Sequence, residues 1–235
     1  MSSVLDNPAW ASLAGPHAHL AERIGGAARY PADVGPHHAL ADPADPSAWA
    51  DLAALVGPGA TIMLGGAGIA PPPGWEHTAS IGGVQLCDVS VRAAPDPAAV
   101  LLGPADVPEM LDLVARTQPG PFRTRTIAFG AYLGLRDGGR LVAMAGERLH
   151  PPGWTEISAV CTDPAYRGQG LATRLIRAVA AGIRARGETP FLHASATNTM
   201  AIRLYEQLGF ALRIRTTFNQ VTSPAVREAT RLPVV

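Results

Sequence analysis

The chain has 235 residues, 25 Gly and 22 Pro among them, 47% hydrophobic side chains, and 19 acidic against 19 basic groups. Zero net charge and a pI near 7.1 give no electrostatic case for nucleic acid or an anionic membrane surface, and the apolar content is too high for a disordered chain. The longest apolar runs, such as 98–102, fall far short of the roughly 20 residues of a bilayer span.

In chain order, residues 1–10 carry Asp6 and no basic group ahead of an apolar run, so they do not read as a secretory leader and the cytoplasm is the expected compartment. A helix is expected over 48–56 and an apolar strand over 60–64, with Trp49 and Trp75 as rings that need cover. Cys87 and Cys161 have no spacing that suggests a zinc knuckle or a disulfide, and both read as small buried residues. The pairs His17/His19 and His37/His38 lack a Cys or carboxylate at ligand spacing, so no metal is expected.

Two echoes tie this half to the next. Pro72-Pro73-Gly74-Trp75 returns as Pro151-Pro152-Gly153-Trp154, and Leu40, Pro43, Ala44, Asp45, Asp51 and Leu52 return as Leu101, Pro104, Ala105, Asp106, Asp112 and Leu113. A worn duplication and chance in an Ala- and Pro-rich chain both account for them.

The Pro- and Ala-rich stretch 96–108 marks the domain boundary, which divides the chain into 1–97 and 98–235. Beyond it the spacing predicts a helix over 106–116 with Asp106 as its N-cap, then strands over 132–136 and 141–148 around the turn Asp137-Gly138-Gly139. A strand follows over 155–162. Leu171, Leu175, Ile176, Val179 and Ile183 then recur near the helical period. A strand over 189–194, a helix over 200–208 closed by Gly209, and an extended stretch over 210–221 complete an α/β pattern, an α+β mixed sheet.

Between strand and helix runs Asp163-Pro164-Ala165-Tyr166-Arg167-Gly168-Gln169-Gly170-Leu171-Ala172-Thr173. A glycine loop at a helix N-terminus is an anion site: the missing side chains let backbone N–H groups approach phosphate oxygens, and Arg167 adds a full charge. The spacing matches neither a nucleoside triphosphate loop nor a dinucleotide fingerprint.

Arg167-Gly168-Gln169-Gly170-Leu171-Ala172 resembles the pyrophosphate loop of the GNAT superfamily of acyl-CoA N-acyltransferases, Q/R-x-x-G-x-G/A. Asn198, Ala201 and Leu204-Tyr205-Glu206-Gln207-Leu208-Gly209-Phe210 resemble the second part of that pattern. The resemblance covers 101–223 and is nearest to the C-terminal half of glycine N-acyltransferases. It implies a GNAT-like fold, tandem with a degenerate N-terminal GNAT-like half that lacks an Arg-Gly loop.

The resemblance further implies acetyl-CoA as co-substrate and an amine-bearing acceptor. The backbone of Val160, Cys161 and Thr162 would pair with the pantetheine arm. The loop from Arg167 to Thr173 would hold the pyrophosphate, the thioester would lie beside Ala159 and Val160, and Asn198 would bond the cofactor arm. Thioester aminolysis needs an acid for the thiolate and a route for the amine's proton. Tyr205 is the candidate acid, or a packing aromatic. Glu156, acting through water, is the first candidate base and Glu147 the second, unless Glu156 is a solvated strand-edge carboxylate. His193 is a core histidine or a proton relay. The acceptor is unassigned, and the rival to an N-acetyltransferase is a non-catalytic acyl-CoA sensor.

Overall fold

A computed structural model describes residues 3–66 and 68–225. Five helices, α1 (Pro8–Leu13), α2 (Pro46–Val56), α3 (Val107–Thr117), α4 (Leu171–Ala185) and α5 (Thr199–Leu208), surround one sheet. Its strands are β1 (Glu22–Ile24), β2 (Ala27–Arg29), β3 (His37–Leu40), β4 (Thr61–Gly65), β5 (Glu76–Asp88), β6 (Val100–Leu101), β7 (Tyr132–Asp137), β8 (Arg140–Glu147), β9 (Trp154–Thr162), β10 (Thr189–Ser195) and β11 (Phe210–Thr222). Their order across the sheet is β1-β2-β3-β4-β11-β5-β10-β9-β8-β7-β6. No helix of the described residues is long and apolar enough to cross a membrane.

Helix α4 follows its sequence pattern. Leu175, Ile176, Val179 and Ile183 are buried against Val142, Ile157 and Leu192 of the sheet, each worth about 1.5–3 kcal/mol of apolar burial. Helix α3 buries Met110 and Leu113 with Leu141, Met144 and Cys161. Adjacent β9 residues divide between these clusters, Val160 toward α4 and Cys161 toward α3, so the two helices cover opposite faces. Trp49 of α2 is 2% exposed, donates its indole N–H to Pro43 O at 2.9 Å, and meets Trp75 edge-on.

The pairing does not follow the boundary at 97/98. Strand β5 lies ahead of it and sits between β10 and β11, antiparallel to both, with Leu86 opposite Leu192 and Leu212. Residues 3–97 therefore complete the C-terminal sheet instead of closing one of their own. Strand β5 escapes the sequence pattern because Gly82 and Gly83 interrupt it. The second glycine has a reason: a Cβ there would lie 2.7 Å from the Phe218 ring, which packs diagonally across from it.

The two echoes have local explanations. Trp75 N–H returns to Pro72 O at 3.2 Å and Trp154 N–H to Pro151 O at 2.8 Å, with Gly74 and Gly153 at φ 96° and 78°. Proline then glycine at positive φ is type II turn chemistry, here leading into β5 and β9. The other echo is a strand followed by an aspartate at the N-cap position, Asp45 before α2 and Asp106 before α3.

Removing residues 1–97 deletes a central strand, leaving β10 and β11 with unpaired edges over apolar side chains. The fragment 98–235 is expected to aggregate or to lack a cooperative transition in thermal circular dichroism. A soluble fragment melting as one unit would contradict this.

Candidate active site

Strands β9 and β10 run parallel and paired only from Trp154/Thr189 to Glu156/Phe191. Beyond that rung they part: β9 continues to Thr162, while β10 continues to Ser195 paired with β5 on its other side. The fork leaves the backbone edge of 157–162 facing a cavity of about 830 Å³, which also reaches Arg167, Asn198 and Tyr205.

Midway along this edge, Ala159 has φ 51°. Ladder pairs Met144/Cys161 and Gly146/Ser158 leave Ala145 opposite two β9 residues, so Ala159 sits in a bulge. A left-handed alanine costs on the order of 1–2 kcal/mol, and its neighbours' pairing holds it there. The bulge re-aims the peptide groups of Ala159 and Val160 relative to a regular strand.

The glycine loop is anchored at its start. Asp163 accepts from Ala165 N at 3.0 Å and is gripped by Arg116 and by Arg140 at 2.9 Å. Gly168 and Gly170 then take φ 78° and 74°, a conformation that side chains resist. Gly170 N-caps α4 with no side-chain cap, and the first helical bond is Arg174 N to Gly170 O at 3.1 Å. The N–H groups of Leu171, Ala172 and Thr173 thus remain available at the positive end of a 15-residue helix. Arg167 and Gln169 are exposed beside them, and Arg167 has no ion-pair partner among the described residues.

On the other arm of the fork, Asn198 accepts from Ala201 N at 3.1 Å through Oδ1 as the N-cap of α5, which leaves its Nδ2 group uncommitted. Tyr205 of α5 is 9% exposed and lines the cavity. Burial raises its pKa, so the phenol stays protonated near neutrality. Cys161 contributes backbone to the cavity edge, while its thiol is buried toward α3 and pushed up to about 11 by desolvation.

The two candidate bases lie elsewhere. Glu156 is fully buried at the last paired rung, accepting from Arg148 Nε at 2.8 Å and Nη2 at 2.6 Å and from His193 Nδ1 at 2.7 Å. Burial opposes ionisation, but the Arg148 charge and His193 outweigh it and hold the carboxyl well below the usual range. Glu147 accepts from Arg186 at 2.8 Å and from Ala131 N at 3.2 Å. Neither carboxylate lines the cavity, so neither stands where an amine's proton is taken directly. Both oxygens of Glu156 are committed, and it is not a solvated edge carboxylate.

His193 is a bonded histidine. Its Nδ1–H serves Glu156, and its Nε2 accepts from Gln85 Nε2 at 3.1 Å. The Gln85 amide is oriented by Leu5 O, its acceptor at 2.9 Å, and by Arg213 Nη1, its donor at 2.7 Å. Arg213 in turn pairs with Asp6. His17 lies apart, bonded to Tyr30 Oη and Phe129 O, and His38 Nδ1 bonds Pro36 O.

Residues 3–97 build the far wall of the cavity: His37, His38, Met63, Ile81 and Gln85. Of these the sequence singles out only His37 and His38, and those only as a histidine pair; Met63, Ile81, Gln85 and Arg148 escape it. The one available signal was Arg148 itself, a basic residue closing the apolar run 141–146.

A family model described as FR47-like protein matches residues 132–219. A solved structure from Novosphingobium aromaticivorans, described as a member of the GNAT family, is 43% identical over 95% of this chain and all of that one, with a TM-score of 0.86. The chain belongs to the GNAT family. A GCN5-related N-acetyltransferase from Kribbella flavida, 18% identical over 92% of this chain and 94% of its own, shares the fold at a TM-score of 0.61.

Among curated relatives, N-alpha-acetyltransferase RimI of Mycobacterium tuberculosis is 40% identical over 82 residues, 34% of this chain and 51% of its own length. Mycothiol acetyltransferase of Corynebacterium glutamicum is 38% identical over 79 residues, 33% of this chain and 27% of its own. This GNAT chain thus spans about half the length of the curated relatives it matches, or less.

Three cavity-side or N-terminal histidines set an acid limit. Desolvation above all lowers His17 to about 4, His37 to about 3 and His38 to about 4, from 6.5. The unfolded chain takes up protons on them below pH 6.5 and the native chain does not until near pH 4. Their contribution is therefore complete above pH 6.5 and is lost as the pH falls toward 4, at about 1.4 kcal/mol per pH unit for each. Urea midpoints should fall steadily between pH 6.5 and 4.5. A flat profile would contradict the burial of these rings.

Proposed function

We propose that this GNAT protein transfers an acetyl group from acetyl-CoA to a primary amine by direct attack on the thioester. The observation that carries this reading is one cavity joining three things: the open bulged edge of β9, Arg167 at the head of the glycine loop that leads into the uncapped N-terminus of α4, and the buried phenol of Tyr205. In this reading the pantetheine arm pairs with the backbone of Val160, Cys161 and Thr162 as an added strand, and Asn198 bonds it from the other arm. The pyrophosphate sits on the N–H groups from Gly168 to Thr173 with Arg167 as counter-charge. We place the reaction in the cytoplasm, where acetyl-CoA is supplied.

The amine nitrogen attacks the thioester carbon beside Ala159, while the N–H of Val160 stabilises charge on the carbonyl oxygen. A C–N bond forms and the C–S bond breaks. Tyr205 gives its proton to the departing thiolate, and the proton lost by the amine returns to Tyr205 through cavity water, so the sum is amide plus free thiol. Glu156 acts from behind as a positioning residue, holding Arg148 and His193. The likeness to the C-terminal half of glycine N-acyltransferases belongs to this proposal and rests on the loop Arg167 to Ala172 and on Asn198 to Phe210, not on the two echoes, which turn and cap chemistry explains.

Arg167→Ala is expected to weaken acetyl-CoA binding about tenfold or more, and adding Gly170→Val to remove measurable binding. No protein atom lies within 4 Å of a Cβ at Gly170, so the valine acts through its positive φ and by occupying the phosphate's approach, not by a clash in the core. Unchanged calorimetric affinity in a folded double variant would overturn the phosphate site. Tyr205→Phe should keep affinity within a few fold while turnover falls on the order of 10- to 1000-fold, read by thiol release. Near-normal turnover would reduce Tyr205 to packing.

A further inference from the structure

The proposed reaction leaves the acceptor open, and the charge inventory of the cavity narrows it. Arg148 follows β8 and reaches the closed end of the β9–β10 fork. One edge of its guanidinium, Nε and Nη2, is taken by Glu156. Its Nη1 group has no hydrogen-bond partner among the described residues, and the side chain keeps 16% exposure where it lines the cavity. A guanidinium fixed on one edge and open on the other is a preorganised fork for a planar oxygen pair, because the Glu156 clasp removes its rotamer freedom in advance.

Nothing around it competes. The remaining charged groups on the wall are Asp6, which is paired with Arg213, and Arg167, which lies at the glycine loop. His37 beside Arg148 is held neutral by burial and by that same charge. His193 presents an occupied Nε2. The cavity therefore offers an acceptor one fixed cationic fork and no uncommitted carboxylate of the described residues, set among apolar Met63, Ile81 and Phe218. A polyamine or aminoglycoside finds no counter-charge there, whereas an amine bearing a carboxylate finds one.

Resting on the acetyltransferase reading, we propose that Arg148 is the specificity-determining residue of the acceptor site and that the acceptor is an amine carrying a carboxylate, which the open edge of Arg148 binds. Met63, Ile81 and Phe218 then favour an apolar body between amine and wall.

The test is thiol release from acetyl-CoA by the full chain, with each of a panel of L-amino acids paired with its amide and its decarboxylated amine. L-phenylalanine, phenylalanine amide and 2-phenylethylamine form the reference set. The expected result is a preference for the acid of at least about tenfold in kcat/KM. Arg148→Gln alone strands the buried Glu156 charge and invites misfolding, so the decisive variant is Arg148→Gln with Glu156→Gln, which removes both charges together. It should bind acetyl-CoA within a few fold of the parent and lose the preference for the acid, read as the ratio of kcat/KM for acid, amide and amine within the variant, whatever its absolute turnover. Arg148→Lys, which keeps the charge without the fork, should retain part of it. Amides used as well as acids, or amides and amines turned over where no acid is, would overturn the Arg148 assignment alone, whereas acetyl-CoA binding without turnover of any amine would overturn the acetyltransferase reading. Failure of the parent chain to bind acetyl-CoA would overturn that reading too.

Discussion

The buried carboxylate of Glu156 is the constraint on which the rest of the site depends. Taking such a charge out of water costs several kcal/mol unless partners surround it, and the fold supplies three donors from two neighbouring elements. The consequence extends beyond one pair. Arg148, Glu156, His193, Gln85, Arg213 and Asp6 form a continuous hydrogen-bonded chain. It crosses from the end of β8 through β9, β10, β5 and β11 to the N-terminal segment. Slipping any of these strands by one residue would break a link inside the protein, so the chain fixes register where the ladder itself is incomplete.

That placement explains why the fork opens where it does. Glu156 stands on the last rung that β9 shares with β10, and its donors come from both sides of that rung. Below it the strands are locked by ladder and ion pair together; above it β9 has no partner strand on that edge and carries the bulge at Ala159. A backbone edge inside a protein is costly when unpaired, which makes an extended ligand arm its natural complement.

The legibility of these features from sequence follows their range. The glycine loop, Asn198, Tyr205 and the stripe of α4 are local patterns: a turn chemistry, a cap, a helical period. All stand on the elements expected, with the predicted helix over 106–116 appearing as α3 at Val107–Thr117. Strand β5 escapes the local pattern because Gly83 answers to Phe218, a residue far along the chain. The partners of Glu156 are hidden from the sequence for the same reason. A carboxylate on a strand reads alike whether it faces water or a guanidinium eight positions earlier, and only the fold shows that Arg148 turns back upon it.

The division of labour within the cavity follows from the sheet order. The match to the FR47-like model spans 132–219, which holds the fork, the loop, Asn198 and Tyr205. His37, Met63, Ile81 and Gln85 lie outside that span, on strands that complete the same sheet. Since β5 is inserted between β10 and β11, the cavity wall that Ile81 and Gln85 form is hydrogen-bonded to one arm of the fork and cannot move independently of it. Gln85 makes the link specific: one side-chain amide on β5 sets the tautomer of His193, and His193 sets the orientation of Glu156. A change in the N-terminal segment therefore reaches Glu156 and Arg148 at the closed end of the fork through bonded side chains. Acceptor choice and fork geometry should for this reason vary together among relatives that share only the C-terminal half.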